Sequence, residues 1–337
     1  MIVTVQNAQA AVGSRAMRAI VQDRYGSSGV LALRDLDVPE IGDDGVLVQV
    51  RASSVNAMEW HLIRGRPYFM RVTTGLRAPK QAVPGTDVAG VVAAVGQSVT
   101  ELRPGDEVFG ARSGAYAEYV AGRVRNFVPK PANLTFEQAA AIPVAAITAL
   151  QAVRDKGQVK AGQRVLILGA GGGVGSFAVQ IAKAYGAAVT AATSTGNLDM
   201  VRAIGADEVI DYTRENATRS GRRYDVILDV GGYGSLADLG RAVTPGGTVV
   251  LVGAGQASML GIVAGFVGAR LRSRLRGQRM VSFLASITRD DLLLVADLAG
   301  AGKIAPVIDR TYPLREAAEA VRYVETGQAR GKVVITV

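Results

Sequence analysis

From Arg164 onward the hydrophobic positions fall into two alternating rhythms: short, mostly apolar runs, and longer stretches in which apolar residues return every three or four places. The runs Arg164–Leu168, Ala187–Ala192, Glu208–Ile210, Tyr224–Val230 and Thr248–Gly253 predict strands. Val174–Tyr185, Asn197–Ile204 and Ser235–Val243 carry helical spacing between them, and Pro245-Gly246-Gly247 predicts a turn. An uninterrupted apolar strand is one buried on both faces. Strands alternating with helices at this interval predict a parallel sheet covered on both sides.

The texture before Asn133 is different. Compact apolar runs at Val46–Val50, Val88–Val95 and Glu107–Phe109 are punctuated by Gly42, Pro84-Gly85, Gly96 and Pro104-Gly105, which predicts a β-rich region; a further strand is expected from Met17. Thr135-x-x-Gln138 has the spacing of a capping box and leads into an apolar helical stretch, Ala139–Val153, interrupted by Pro143. From about Ser286 the pattern predicts helices over Asp290–Ala299 and Leu314–Thr326 and a last strand, Lys332–Val337. At 337 residues the chain suits two domains better than one.

Composition then narrows the chemistry. The chain has no cysteine and one histidine, His61. That excludes disulfides, cysteine-ligated zinc and thiol nucleophiles, and leaves little material for a histidine-rich metal site or a serine protease-like triad. Reactivity has to come from a bound cofactor, carboxylates, hydroxyls or that imidazole. The net charge of +9 admits a nucleic-acid or membrane partner, but the arginines are spread widely apart from a run at Arg270, Arg272, Arg274, Arg276 and Arg279. A basic enzyme holding a phosphorylated cofactor accounts for the charge better. Residues 1–16 lack both acidic side chains and a continuous apolar core, so they read as an extension rather than a signal peptide. The apolar segment Ala257–Gly268 is too short to span a bilayer, and a soluble, cytoplasmic protein is expected.

Gly169-x-x-Gly172-x-x-Gly175 lies between a predicted strand and a predicted helix, where a dinucleotide-binding fingerprint belongs. One glycine permits the tight turn, one lets the backbone approach a pyrophosphate, and one lets helix and strand pack closely. The helix N-terminus, entered through Gly173 and Val174, offers unpaired N–H groups to the phosphates. Sites selective for NAD place an acid about 20 residues on to hold the ribose 2′-hydroxyl. Here that region reads Thr193-Ser194-Thr195-Gly196-Asn197, with no acid. Hydroxyls and an amide can donate to a 2′-phosphate, so NADPH is expected over NADH, with Arg202 or Arg214 left to supply the positive charge.

Over nearly all of Met17–Val337 the chain resembles the zinc-free quinone oxidoreductase-like branch of the medium-chain dehydrogenase/reductase superfamily. The resemblance is carried by SSVNAMEWHLIRG (Ser53–Gly65), VPGTDVAGVVAAVG (Val83–Gly96), PGDEVFG (Pro104–Gly110), GAYAEYV (Gly114–Val120), AAIPVAAITAL (Ala140–Leu150), the glycine turn, IGADEVIDY (Ile204–Tyr212) and RGKVVITV (Arg330–Val337). Zinc-dependent members place a cysteine near Asn56 and a His-Glu pair near Thr86-Asp87, and this chain has none of these ligands. The resemblance implies an α/β protein: a GroES-like β-rich catalytic domain (17–141, completed by a return at 286–337) and an inserted Rossmann NADP-binding domain (142–285), with the active cleft at their junction. It implies that Asn56 and Thr148 lie near the nicotinamide, that Ser194, Thr195, Asn197 and Tyr212 line the adenosine phosphate pocket, that Gly253 and Ala254 approach the nicotinamide half, and that Lys332 returns to the cofactor. It also implies a homodimer.

Hydride transfer asks for alignment and for stabilisation of the oxygen that gains charge, since the cofactor carries the reactive bond. A quinone or enone suits a site without zinc, because its conjugated carbonyl accepts hydride without a strong Lewis acid. His61, five residues after Asn56, is a candidate proton donor, weighed evenly against a histidine that shapes the wall beside Trp60. Tyr68 is a second candidate donor, set against a loop tyrosine that covers apolar surface. Met259–Ala269 with its following arginines reads either as a helical flap beside the substrate or as a basic surface element for membranes or RNA, and its position favours the flap. An enoyl reductase, an alcohol dehydrogenase-type enzyme and a low-turnover, crystallin-like or RNA-binding NADPH protein share these motifs.

Overall fold

The structure is a computed structural model that describes residues 16–253 and 277–337. Ala254, the Met259–Ala269 segment and Arg270, Arg272, Arg274 and Arg276 lie outside the described residues, as does the expected extension up to residue 15. Among the described residues no helix is long and apolar enough to cross a membrane.

The strands in chain order are β1 (Ala16–Val21), β2 (Ala32–Asp37), β3 (Gly45–Val55), β4 (Asp87–Val95), β5 (Glu107–Ala111), β6 (Tyr119–Arg123), β7 (Phe127–Pro129), β8 (Arg164–Leu168), β9 (Ala188–Thr193), β10 (Glu208–Asp211), β11 (Tyr224–Val230), β12 (Val243–Val252), β13 (Arg279–Phe283), β14 (Ile308–Pro313) and β15 (Lys332–Thr336). They fall into two compact units. One takes in the described residues up to Val144 with Ile287–Gly302 and Ile308–Val337; the other takes in those from Ala145 to Ser286 with Lys303–Val307.

The first unit is built on a seven-stranded sheet in which β14, β15, β3, β4, β5 and β7 follow one another and β6 also pairs with β3. The last strand, β15, runs antiparallel to β3, with Val333 opposite Val55 and Ile335 opposite Ser53. Val46, Val48, Val88, Val92, Val108 and Phe127 pack on one face of this sheet, all essentially inaccessible. The Thr135 capping box forms as its spacing predicts: the Thr135 hydroxyl accepts from Gln138 N at 3.2 Å, and Gln138 Oε1 accepts from Thr135 N at 2.9 Å. The helical stretch after it divides at Pro143 into Phe136–Ala140 and Pro143–Gln151.

The second unit is a six-stranded sheet in the order β10-β9-β8-β11-β12-β13, parallel throughout. Counted from β8, that is 3-2-1-4-5-6, the order of a doubly wound dinucleotide-binding sheet. Leu166, Ile167, Ile227 and Leu228 have no exposed surface, which is why Val165–Leu168 of β8 and Val226–Leu228 of β11 read as apolar runs. The Pro245-Gly246-Gly247 turn is absorbed into β12 as an irregularity: Tyr224 lies opposite Val243 but Val226 lies opposite Thr248. The chain reverses direction of winding between β8 and β11. In such sheets ligands bind at that switch point, outside the carboxyl ends of the strands.

Candidate functional site

The glycine turn follows β8 at the switch point and leads into the helix Gly173–Ala184. Each glycine of the fingerprint has a separate reason to be there. Gly169 has φ +78°, in the left-handed region that side chains disfavour. A Cβ on Gly175 would stand 2.1 Å from the Gly169 carbonyl oxygen, so this residue sets the approach of helix to turn. Gly172 is the helix N-cap with an extended backbone, φ −86°, and a Cβ there would meet nothing closer than 3.6 Å. Nothing in the protein itself forbids a side chain at Gly172. What a side chain would occupy is the space over the first turn, where the N–H groups of Gly173, Val174 and Gly175 face outward as a phosphate cradle. The turn therefore fits a dinucleotide.

The neighbouring strand ends supply the rest of that site. Asn197 packs against the turn, its amide nitrogen 2.5 Å from where a Gly171 Cβ would be, and it donates to Ser194 Oγ at 3.2 Å. Tyr212, just after β10, stacks with Tyr233, with ring centroids 5.6 Å apart and planes at 29°. The two rings border a cavity of about 180 Å³ together with Leu168, Gly169, Ala192 and Thr218. Tyr233 is held by buried Asp229, whose carboxylate accepts from Tyr233 N at 2.8 Å and Gly234 N at 3.1 Å; burial pushes that carboxyl above its ordinary range. The sequence reading did not single out Tyr233 or Asp229.

The stretch after β9 carries no acid of its own, but Asp211 at the end of β10 brings a carboxylate to it. Thr195 Oγ1 donates to Asp211 Oδ2 at 2.6 Å, and Thr213 donates to Oδ1 through its hydroxyl at 2.7 Å and its N–H at 3.0 Å. These hydroxyls hold the Asp211 carboxyl below its ordinary range. A single strand's sequence could not show this, because the acid arrives from the adjacent strand. Of the remaining expected contacts, Thr148 lies half-buried on the helix Pro143–Gln151, and Gly253 follows β12 with φ +85°.

The first unit holds a second concentration of polar groups, which the sequence did not disclose. Asn56 caps the helix Ala57–Arg64, and Glu59, one turn on, accepts from the Asn56 backbone N–H. Asp87 opens β4, and Lys332 opens β15. All four side chains are buried, Asp87 completely. Asn56 Nδ2 donates to Asp87 Oδ2 at 2.8 Å and to Glu59 Oε1 at 3.3 Å, and its Oδ1 accepts from Lys332. The Lys332 ammonium also reaches Asp87 Oδ2 and the Val55 carbonyl, at 3.3 and 3.5 Å. Ser54 Oγ at 2.5 Å and Val144 N at 2.9 Å complete the shell of Asp87. The expected pair Asn56 and Lys332 thus meet directly, with every polar hydrogen turned into the cluster.

Two buried carboxyls share one ammonium here, and that sets their protonation. Burial, and then the adjacent Asp87 carboxylate, push the Glu59 carboxyl up to about 7. At pH 7 Glu59 carries its proton about half the time, and below that pH the cluster approaches balance, with Asp87 paired to Lys332 and Glu59 neutral. Burial, reinforced by the same carboxyls, also raises the enclosed Tyr116 hydroxyl well above its ordinary value. The capping spacing of Asn56 and Glu59 was the signal available in the sequence.

Zinc does not fit this place. The positions where zinc-dependent relatives hold metal ligands carry Asn56, Thr86 and Asp87, and an ammonium already occupies the centre of the group. Among the described residues no three His, Cys, Asp or Glu side chains are grouped to hold a metal ion.

The two proton-donor candidates follow on the same segment as Asn56. His61 stacks on Trp60 with ring centroids 3.5 Å apart, and burial lowers its imidazole below the ordinary value. Tyr68 is exposed; Arg66 and Arg71 lie over its ring at 5.5 and 4.9 Å, and Arg66 Nη2 donates to its hydroxyl at 3.3 Å.

Comparison with known proteins agrees with both units. Residues 42–132 match the alcohol dehydrogenase GroES-like domain, and residues 204–335 match the zinc-binding dehydrogenase family. The chain is 36% identical over 334 residues to the 2-methylene-furan-3-one reductase of Solanum lycopersicum, covering 95% of this chain and 79% of the relative. It is 36% identical over 356 residues to the chloroplastic NADPH-dependent alkenal/one oxidoreductase of Arabidopsis thaliana, covering 98% and 84%. The solved quinone oxidoreductase from Coxiella burnetii superposes with a TM-score of 0.84 at 29% identity, covering 96% of this chain and all of that one. The chain belongs to the medium-chain dehydrogenase/reductase superfamily, among its quinone oxidoreductase-like members.

Proposed function

We propose that this protein is a zinc-independent, NADPH-dependent reductase of quinones, enones or similarly activated carbonyl compounds. The observation that carries this is the Gly169–Gly175 turn at the switch point of a 3-2-1-4-5-6 parallel sheet, in a chain whose relatives are named as alkenal/one, furanone and quinone reductases. Bound NADPH would supply the hydride. The chain's own residues bind and orient it: the Gly173–Gly175 N–H groups take the pyrophosphate, Ser194, Thr195, Asn197 and Tyr212 the adenosine phosphate end, and Thr148 and Gly253 belong to the nicotinamide half.

Asn56 and Lys332 act in this reading as positioning residues. The Asn56 amide hydrogens are committed to Asp87 and Glu59, and those of Lys332 to Asn56, Asp87 and the Val55 carbonyl, so the pair fixes the start of the helix that carries His61. His61 or Tyr68 would donate the proton that completes reduction, and a proton from water then restores the donor. The lysine-centred cluster in place of metal ligands supports chemistry without zinc, and a conjugated carbonyl is the acceptor class that needs none. A homodimer formed along the β13 edge and a cytoplasmic location complete the reading. The test is NADPH oxidation followed at 340 nm against a panel of quinones, enones and simple ketones. Turnover of the conjugated acceptors alone supports it; turnover of simple ketones, or tight NADPH binding without turnover of any acceptor, refutes it.

A further inference from the structure

Nothing in the stretch Thr193–Asn197 is positively charged, so if the site prefers NADPH the 2′-phosphate needs a cation from elsewhere. The second unit has several arginines and lysines around β9 and β10, and most of them are held. Lys183 and Arg222, paired with Asp207 and Glu208 at the start of β10, stand at the amino ends of these strands, away from Thr193 and Asp211. Arg202 pairs with Asp199 on its own helix at 2.9 Å, Lys183 is bidentate on Asp207 at 2.7 and 2.8 Å, Arg222 is paired to Glu208, and Arg219 and Arg241 share Asp238.

Arg214 differs from these. Among the described residues its one ion pair is loose, Nε to Asp211 Oδ2 at 3.5 Å, and its side chain is 78% exposed. The carboxylate it faces is already occupied by Thr195 Oγ1 on the same oxygen and by the Thr213 hydroxyl and N–H on the other. A carboxylate offers about four acceptor positions, so little hydrogen-bonding capacity is left for a guanidinium with five donors. Arg214 is attracted to this spot by charge and is not satisfied there. The same segment carries the dinucleotide pocket: Tyr212, Glu215, Asn216 and Thr218 line the cavity beside Gly169.

We propose that Arg214 is the residue that recognises the 2′-phosphate of NADPH, with Asp211 as the positioning residue that keeps it, Thr195 and Thr213 gathered at that place. This rests on the NADPH reading given above. The guanidinium leaves a carboxylate that three other donors keep stabilised, and gains a phosphate that can take two of its N–H groups in parallel. Glu215, on the next position, lines the cavity and disfavours a second anion there, so discrimination depends on Arg214 itself.

The test is direct binding of NADPH and NADH to the purified full chain by calorimetry, for wild type, R214A, R214K and R202A. R214A is expected to weaken NADPH by about 10- to 100-fold, the usual loss for a charge-assisted hydrogen bond, and to leave NADH within about twofold. R214K should recover part of the loss, R202A should change neither affinity, and the salt dependence of NADPH binding should fall in R214A to that of NADH. An R214A protein that keeps the wild-type preference for NADPH, or that loses both dinucleotides equally, overturns the assignment. A wild type that binds both equally removes the NADPH reading itself, and this role with it.

Discussion

Replacing Glu59 with glutamine isolates one consequence of the buried cluster. Glutamine keeps an oxygen to accept from the Asn56 N–H but has no proton to lose. In the folded wild type the Glu59 carboxyl titrates near 7, against 4.5 for an unperturbed glutamate. Between these values the folded chain holds a proton that the unfolded chain has released, so stability falls as pH rises from about 4.5 and levels off above about 7. From pH 5 to pH 8 that loss amounts to about 2–3 kcal/mol. The chain's one tryptophan, Trp60, is the next residue and reports unfolding of this unit directly. Urea titrations of wild type and E59Q, followed by Trp60 fluorescence at pH 5, 6, 7 and 8, give the difference at each pH. Other groups that titrate in this range cancel in it, including His61, whose lowered pKa acts in the opposite sense. The advantage of wild type over E59Q should shrink by about 2–3 kcal/mol across the range. Two curves that stay parallel from pH 5 to pH 8 would show that Glu59 is ionised throughout, and that the charge assignment of the cluster is wrong.

Three further outcomes follow from the same geometry. G172A should fold with wild-type stability and weaken dinucleotide binding by at least about tenfold, whereas G175A should lose about 1–3 kcal/mol of stability by overpacking against Gly169; denaturation and binding measured on both variants check this pair. K332M leaves Asp87 buried without its cation and should cost about 3–5 kcal/mol, much of it restored in K332M/D87N, as read by urea midpoints. H61F should lower kcat about 100-fold or more with NADPH affinity unchanged, and unchanged turnover on several quinones would remove His61 from proton transfer.

The parts of this fold that were legible in the sequence are those where burial imposes a pattern on contiguous residues. The runs Arg164–Leu168 and Tyr224–Val230 match β8 and β11 residue for residue, because the centres of strands covered on both faces, Val165–Leu168 and Val226–Leu228, have no polar position to interrupt them. The glycine turn was legible for a related reason: its constraints act within seven residues. Strands with polar or exposed faces left no such trace, and β2, reading ALRDLD, and β14, reading IDRTYP, gave no apolar alternation. The short helix Ala57–Arg64 was not anticipated either, since it buries only Glu59 and Ile63. The buried cluster was the least legible feature. Asn56 and Lys332 were singled out, but their partners stand at positions 59 and 87, and no local pattern ties residue 87 to residue 332. Asp211 was missed in the same way, because a parallel neighbour brings it to Thr195 from 16 residues away.

The pairing of β15 with β3 has a consequence for synthesis. Lys332 is made 245 residues after Asp87, which at about 5–20 residues per second is roughly 10–50 s of elongation. During that interval the nascent β-rich unit has both carboxyls of its future cluster and no cation to set between them. Until Lys332 is made the Asp87 carboxylate lacks its cation, so this unit is locked only after Ala145–Ser286 of the second unit has been synthesised.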